Sequence, residues 1–231
     1  MPFGRMQNPL ITKDIFDFLK ELEKNNNKEW FTDHKTQFKT LEAKVKKFYI
    51  SVLQSMREHD ELEKLKIFRI YRDVRFSKDK TPYKVHFAGS FSRMGSTLRG
   101  GYYIRLKPGE SFIAAGFWEP NKDDLLRIRK EFELDSSEIR EILNNPSFKK
   151  VWGNLQGEEL KTAPKGFDKE DPNIDLIRKK QFTVMKKFSD KEVFSPDFED
   201  TLTESFKAIR PYFDLMSDIL TTNLNGETLL D

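Results

Sequence analysis

The sequence predicts an α+β fold, and its apolar spacing is the reason. That spacing is helical in the first third, of period two in the middle, and helical again to the end. A doubly wound parallel sheet would instead alternate strand and helix throughout. The expectation is therefore a single domain over residues 1–231, with its core at about 10–225. Residues 67–118 are expected to form a central antiparallel sheet of about four strands, flanked by N-terminal and C-terminal helices.

The first helix is signalled by Thr12 as a cap and by Ile15, Phe16, Phe18, Leu19 and Leu22 at helical spacing. Asn25-Asn26-Asn27 then supplies a turn, because asparagine tolerates left-handed backbone and caps helix starts. A longer helix follows from Lys28 to about Glu58, with Trp30, Phe31, Phe38, Leu41, Val45, Phe48, Val52 and Met56 as its buried stripe. Strand alternation runs from Ile67 to Phe76 and again from Tyr83 to Phe91. A hairpin spans Gly101 to Trp118, turning at Pro108-Gly109. Pairing Lys107 with Glu110 places Tyr102, Ile104, Leu106, Ile113, Ala115 and Phe117 on one face, as the floor for helices. Asn121 or Asp123, Ser136 or Ser137, and Asn145-Pro146 open three further helices. Gly153 to Pro172 reads as a long loop. Ser195-Pro196 signals another helix start, and Arg210-Pro211 breaks or kinks the last helix.

Composition limits the function. There is no cysteine, which excludes disulfides, a thiol nucleophile and thiolate metal sites, and fits a reducing compartment. The start Met1-Pro2-Phe3-Gly4-Arg5-Met6 lacks the apolar stretch of a secretory signal, and no run approaches the roughly 18 apolar residues that span a bilayer. A cytoplasmic protein with no membrane partner is the expectation. Charged residues are 34% of the chain, yet there are 21 phenylalanines, a combination that suggests a wet surface around an aromatic core. The net charge of +3 hides an asymmetry. Eleven Lys or Arg and two Asp between Lys66 and Lys107 give +9, and the rest of the chain carries −6. Such a local excess favours anions nearby.

Within that segment Arg72 falls on the parity of Phe68, Ile70, Val74 and Phe76, where an apolar side chain is expected. Either a bulge re-aims it, or it meets a carboxylate such as Asp73, or it lines a cavity that holds an anion. If it is inward and paired, Arg72→Ala should cost roughly 3–5 kcal/mol.

The stretch from Arg69 to Lys84, RIYRDVRFSKDKTPYK, closely resembles the central motif of the family called domain of unknown function 2461. Asn26-Asn27-Lys28-Glu29-Trp30-Phe31, Gly101-Tyr102-Tyr103-Ile104, and Ala115-Gly116-Phe117-Trp118-Glu119-Pro120 followed by Ile128-Arg129 match in the same order. The resemblance implies one family domain of largely bacterial distribution, and implies no activity. Asn25-Asn26-Asn27-Lys28 departs modestly from the family pattern, where two asparagines often precede a polar residue and Arg.

Other motifs are weak. Ser77-x-x-Lys80 matches the pattern of penicillin-recognising enzymes without their two further motifs. No nucleophile elbow, Walker loop or dinucleotide fingerprint is present. His34, His59 and His86 show no paired metal spacing, so no metal site is assigned; cofactor and catalytic residues stay unassigned. His86 reads as a solvent-facing strand residue.

The leading expectation is a pocket for a small anionic ligand on the sheet, formed by Arg69, Arg72, Arg75, Lys78 and Lys84, with Tyr83 and Trp118 as its apolar wall. A surface for single-stranded nucleic acid built from the same cations ranks second, and a module docking an acidic protein partner third. Oligomeric state is not legible.

Overall fold

The computed structural model describes residues 11–230. The readings of residues 1–6 and of a core that begins at residue 10 lie outside the described residues.

Helix α1 (Lys13–Lys24) buries the five apolar side chains expected of it. Thr12 precedes it in extended conformation, but its hydroxyl bonds the Asp14 carboxylate rather than a helix N–H. The asparagine turn has two roles. Asn27 accepts a bond from Trp30 N at 2.9 Å and so caps α2 (Lys28–Asp33). Asn26 pairs with both backbone groups of Tyr83, at 2.9 and 3.1 Å, as a neighbouring strand would.

The expected long helix divides at His34, and α3 (Lys35–Met56) follows. The His34 ring stacks on Trp30 at 3.9 Å, and its Nδ1–H donates to the Trp30 carbonyl at 2.8 Å. That carbonyl is satisfied locally, and the chain leaves helical geometry at His34, with φ −99° and ψ 8°. The expected stripe holds across the break: all its members are buried except Trp30, which is half-buried.

Among the described residues, five strands form one antiparallel meander in chain order: β1 (Leu62–Ile67), β2 (Phe87–Arg93), β3 (Gly101–Leu106), β4 (Ser111–Phe117) and β5 (Phe182–Phe188). The class is α+β as expected, but the sheet is larger than expected and differently bounded. Only Ile67 of the Ile67–Phe76 run lies in β1, and β2 begins at Phe87 rather than Tyr83. The Asp73 and Asp79 carboxylates bond the backbone N–H groups of Arg75 and Thr81, two residues on. Beyond Arg72 these side-chain turns replace a strand ladder. The fifth strand lies outside 67–118 altogether.

The β3–β4 hairpin follows the expected register, with Ile104 opposite Ile113 and Tyr102 opposite Ala115. Glu110 N donates to Lys107 O at 3.0 Å across Pro108-Gly109. All six residues expected on its inner face are buried.

The remaining helices are α4 (Lys122–Leu134), α5 (Ser137–Asn144), α6 (Pro146–Trp152), α7 (Ile174–Ile177), α8 (Asp190–Val193), α9 (Phe198–Lys207) and α10 (Arg210–Thr221). Asn121 and Asn145 cap α4 and α6. The Ser195-Pro196 signal is displaced: α9 begins at Phe198, and Ser195 Oγ accepts from Asp197 N. Pro211 lies in the first turn of α10, where its missing N–H costs no helix bond.

These helices pack on one face of the sheet. Tyr102 meets Phe206 of α9 and Phe213 of α10, each with centroids 5.0 Å apart. Phe182 meets Phe132 of α4 at 6.0 Å, and Phe91 meets Tyr49 of α3 at 6.5 Å. Each buried ring of this kind contributes about 1.5–3 kcal/mol of burial. The opposite face of the sheet carries the alternate residues.

Candidate functional site

Strand alternation decides what the second face presents. Ser90 and Ser92 of β2, Gly101 and Tyr103 of β3, Ala114 and Gly116 of β4, and Met185 of β5 alternate with the inner residues. With Phe68, Phe112 and Trp118 they line an open trough of about 670 Å³. Small side chains form its floor and rings form its walls. Gly116 belongs there for a backbone reason. Its φ is +133°, and a Cβ would lie 2.3 Å from Phe182 O, so only glycine lets β4 approach β5.

A row of rings crosses this face. Phe68 and Tyr103 have centroids 6.1 Å apart, and Tyr103 and Phe112 are 5.7 Å apart. Cations lie over the two outer rings: Lys66 and Lys84 at 5.3 and 5.7 Å from Phe68, and Arg105 at 5.6 Å from Phe112. Burial pushes the Tyr103 hydroxyl up and the Lys84 ammonium down from their usual pKa values. His86 lies beside this basic end. Burial first, then Arg105, Lys84 and Lys107, push its pKa down to about 4 against the opposing pull of Glu110. The imidazole is therefore neutral and half-buried, not the solvent-facing residue expected. The other end of the trough holds Arg99, paired with Asp124, beside Trp118 and Glu119.

The expected site residues divide between this trough and the β1–β2 connection. Trp118, 37% exposed, lines the trough, and the Lys84 ammonium sits over its Phe68 wall. Tyr83 is buried, stacks on Phe31 at 4.0 Å and does not line the trough. Arg72 is not on a strand and is not fully buried. Its side chain is 25% exposed and bonds Asp79 and Thr81, with Ser77 Oγ at 3.5 Å. The carboxylate that meets it is Asp79, while Asp73 pairs with Arg75 at 2.6 Å. Arg69 and Lys78 are exposed on the same connection. The bond from Thr81 N, then those from Arg72 and Thr81 Oγ1, hold the Asp79 carboxyl down at about 2.

Sequence reasoning missed the most deeply buried charge. Arg93 and Asp60 form an ion pair at 2.9 Å with both side chains 0% exposed. Asp60 also accepts from the Tyr102 hydroxyl and from Glu61 N, and pairs with Arg210 at 3.0 Å. Arg93 donates to Arg99 O at 3.0 Å, while Ser217 Oγ accepts from Arg99 N at 2.9 Å. The backbone of Arg99 at the trough wall is thus fixed from both sides by the core. The signal was available. Arg93 shares the parity of Phe87, Gly89 and Phe91, the pattern that drew attention to Arg72.

Among the described residues, no group of three or more His, Cys, Asp or Glu is placed to hold a metal ion. No described helix is long and apolar enough to cross a membrane.

The family model described as "Conserved hypothetical protein (DUF2461)" matches residues 14–215 of the 231. The chain belongs to this family. No curated protein and no solved structure matches it. The span matched to DUF2461 contains the β1–β2 connection, the ring row, and all of the trough lining except Leu220.

Proposed function

We propose that this DUF2461 protein binds a small anionic ligand with a planar portion in the trough on the open face of its sheet. The carrying observation is the row Phe68–Tyr103–Phe112, with ammonium and guanidinium groups over its outer rings. Rings at this spacing offer π-faces to a flat ligand, and the cations around the neutral His86 favour negative charge at that end. A volume of about 670 Å³ suits a nucleotide-sized compound. Arg99 offers a second cationic contact across the trough. Compared with the expected pocket, Lys84 and Trp118 remain, and Arg105, Tyr103 and Phe112 take the place of Arg69, Arg72, Arg75, Lys78 and Tyr83. The reading is of binding, and no reaction is assigned.

The experiment is a thermal-shift series with adenosine 5′-monophosphate, uridine 5′-monophosphate, pyridoxal 5′-phosphate, salicylate and inorganic phosphate. At least one planar anion should raise the melting temperature more than phosphate does, and Tyr103→Ala should abolish the difference. A ligand at about a hundred times its Kd stabilises by about 2.7 kcal/mol. No shift from any planar anion at millimolar concentration would refute the reading.

A further inference from the structure

The nineteen residues between Ile67 and Phe87 form a braced arm, not a slack loop. Its base continues the β1–β2 ribbon: Phe68 N donates to Ala88 O at 2.9 Å, Lys84 N to Ile70 O at 2.7 Å and Arg72 N to Pro82 O at 2.9 Å. Further out, Arg72 ties Asp79 and Thr81 together, and the Lys80 ammonium donates to Val74 O at 2.9 Å. The brace holds up a ring with nothing against its outer surface. Phe76 is 96% exposed, by far the most exposed large apolar side chain among the described residues. Beside it are Arg75, whose guanidinium lies 5.9 Å from the ring, and the exposed Lys78. Both acids of the arm, Asp73 and Asp79, are engaged by Arg75 and Arg72.

We propose that this arm is a docking tip for single-stranded nucleic acid, with the Phe76 ring stacked on a base and Arg75 and Lys78 at the flanking phosphates. Charge complementarity and the isolation of the ring carry the choice of partner. A protein interface centres its rings in a wider apolar patch that excludes water. Phe76 has charged and hydroxylated neighbours in Arg75, Ser77 and Lys78 instead, the arrangement that places a π-face between two phosphate contacts. Bracing removes the entropy cost of ordering the arm on binding. The proposal is independent of the trough.

The test is fluorescence anisotropy with labelled oligo(dT) and oligo(U) of fifteen nucleotides in 50 and 200 mM salt. Wild-type protein should bind with a Kd below about 100 µM at the lower salt. Phe76→Ala should weaken binding about 5- to 150-fold without changing the salt slope, and Phe76→Trp should restore it. Lys78→Ala should reduce the slope by about 0.7. Because Phe76 touches little of the fold, its variants should melt as wild type does. Tyr103→Ala should leave oligonucleotide binding unchanged, and Phe76→Ala should leave the small-ligand shift unchanged, so the two readings fail separately. Absence of binding at 50 mM salt, or equal binding by Phe76→Ala, would overturn the proposal. So would Phe76-dependent binding to polyglutamate or to phosphatidylserine vesicles in place of the oligonucleotides.

Discussion

Two arginines on neighbouring stretches of chain make opposite use of the same charge. Arg93 is held at 0% exposure by Asp60, also at 0%, and its guanidinium lies over the Phe213 ring at 5.3 Å. Removing one member of such a pair strands the other, so Arg93→Met should cost about 3–5 kcal/mol in urea unfolding. Arg72 works at the surface, against an Asp79 side chain that is 60% exposed. Solvent screens that pair, and Arg72→Ala should cost only about 1–2 kcal/mol. Equal costs for the two variants would contradict this ranking. The alternation argument was sound in form but was applied to a segment that is not a strand. At Arg93, where a strand does exist, it identifies the buried charge correctly. His86 gives a second residue-scale test. Its folded pKa of about 4 lies below the ordinary 6.5, so between those values the unfolded chain takes up a proton that the fold refuses. This contribution to stability is present above pH 6.5 and is lost as pH falls through 4. An NMR titration of the imidazole should show the low value, and an anion bound beside it should raise that value. An unperturbed titration would contradict the burial and the three surrounding cations.

At the scale of elements, helices were legible from an apolar stripe, as in α1, or from a cap residue, as at Asn121 of α4 and Asn145 of α6. The break at His34 was not, because an imidazole on a backbone carbonyl leaves the apolar spacing of α3 unchanged. The β3–β4 hairpin was read to the correct register, since Pro108-Gly109 fixes the turn and period two fixes the faces. The arm shows the limit of that logic. It alternates basic and apolar residues as a strand would and pairs irregularly as far as Arg72, yet beyond that Asp73 and Asp79 bond their own backbone two residues on and end the pairing. β5 escaped notice although Phe182, Val184 and Phe188 alternate correctly. Lys186 occupies the remaining inner position and donates to Ser205 Oγ at 3.0 Å, which disguises the apolar face. Gly116 tests the sheet at the trough. Gly116→Ala should destabilise the protein by more than about 1 kcal/mol, where an alanine at an unstrained glycine position would stabilise it, because its Cβ meets backbone and its φ is positive. A stability equal to wild type would mean that β4 and β5 are not held as closely as described.

For the molecule as a whole, the helices are gathered on one sheet face and an aromatic, cation-flanked trough is left on the other. The cations that the sequence placed in one segment serve several separate ends. Arg93 knits the core, Arg72 and Lys80 brace the arm, and Lys84 and Arg105 flank the ring row. Of these, only Lys84 and Arg105 bear on the trough, joined there by Lys66 and Arg99, which is why counting charges located the region without resolving the site. Ala114 provides the most direct test that the trough binds the ligand. It is 3% exposed on the trough floor, facing away from the core. Ala114→Trp would fill the trough and leave the helix-packed face intact. The measurement is the melting temperature of Ala114→Trp and of wild type, each with and without the planar anions used above. The account predicts that Ala114→Trp alone melts within a few degrees of wild type, about the effect of 1 kcal/mol in a chain of this length, and shows no ligand shift. A ligand shift in Ala114→Trp equal to that of wild type would contradict it.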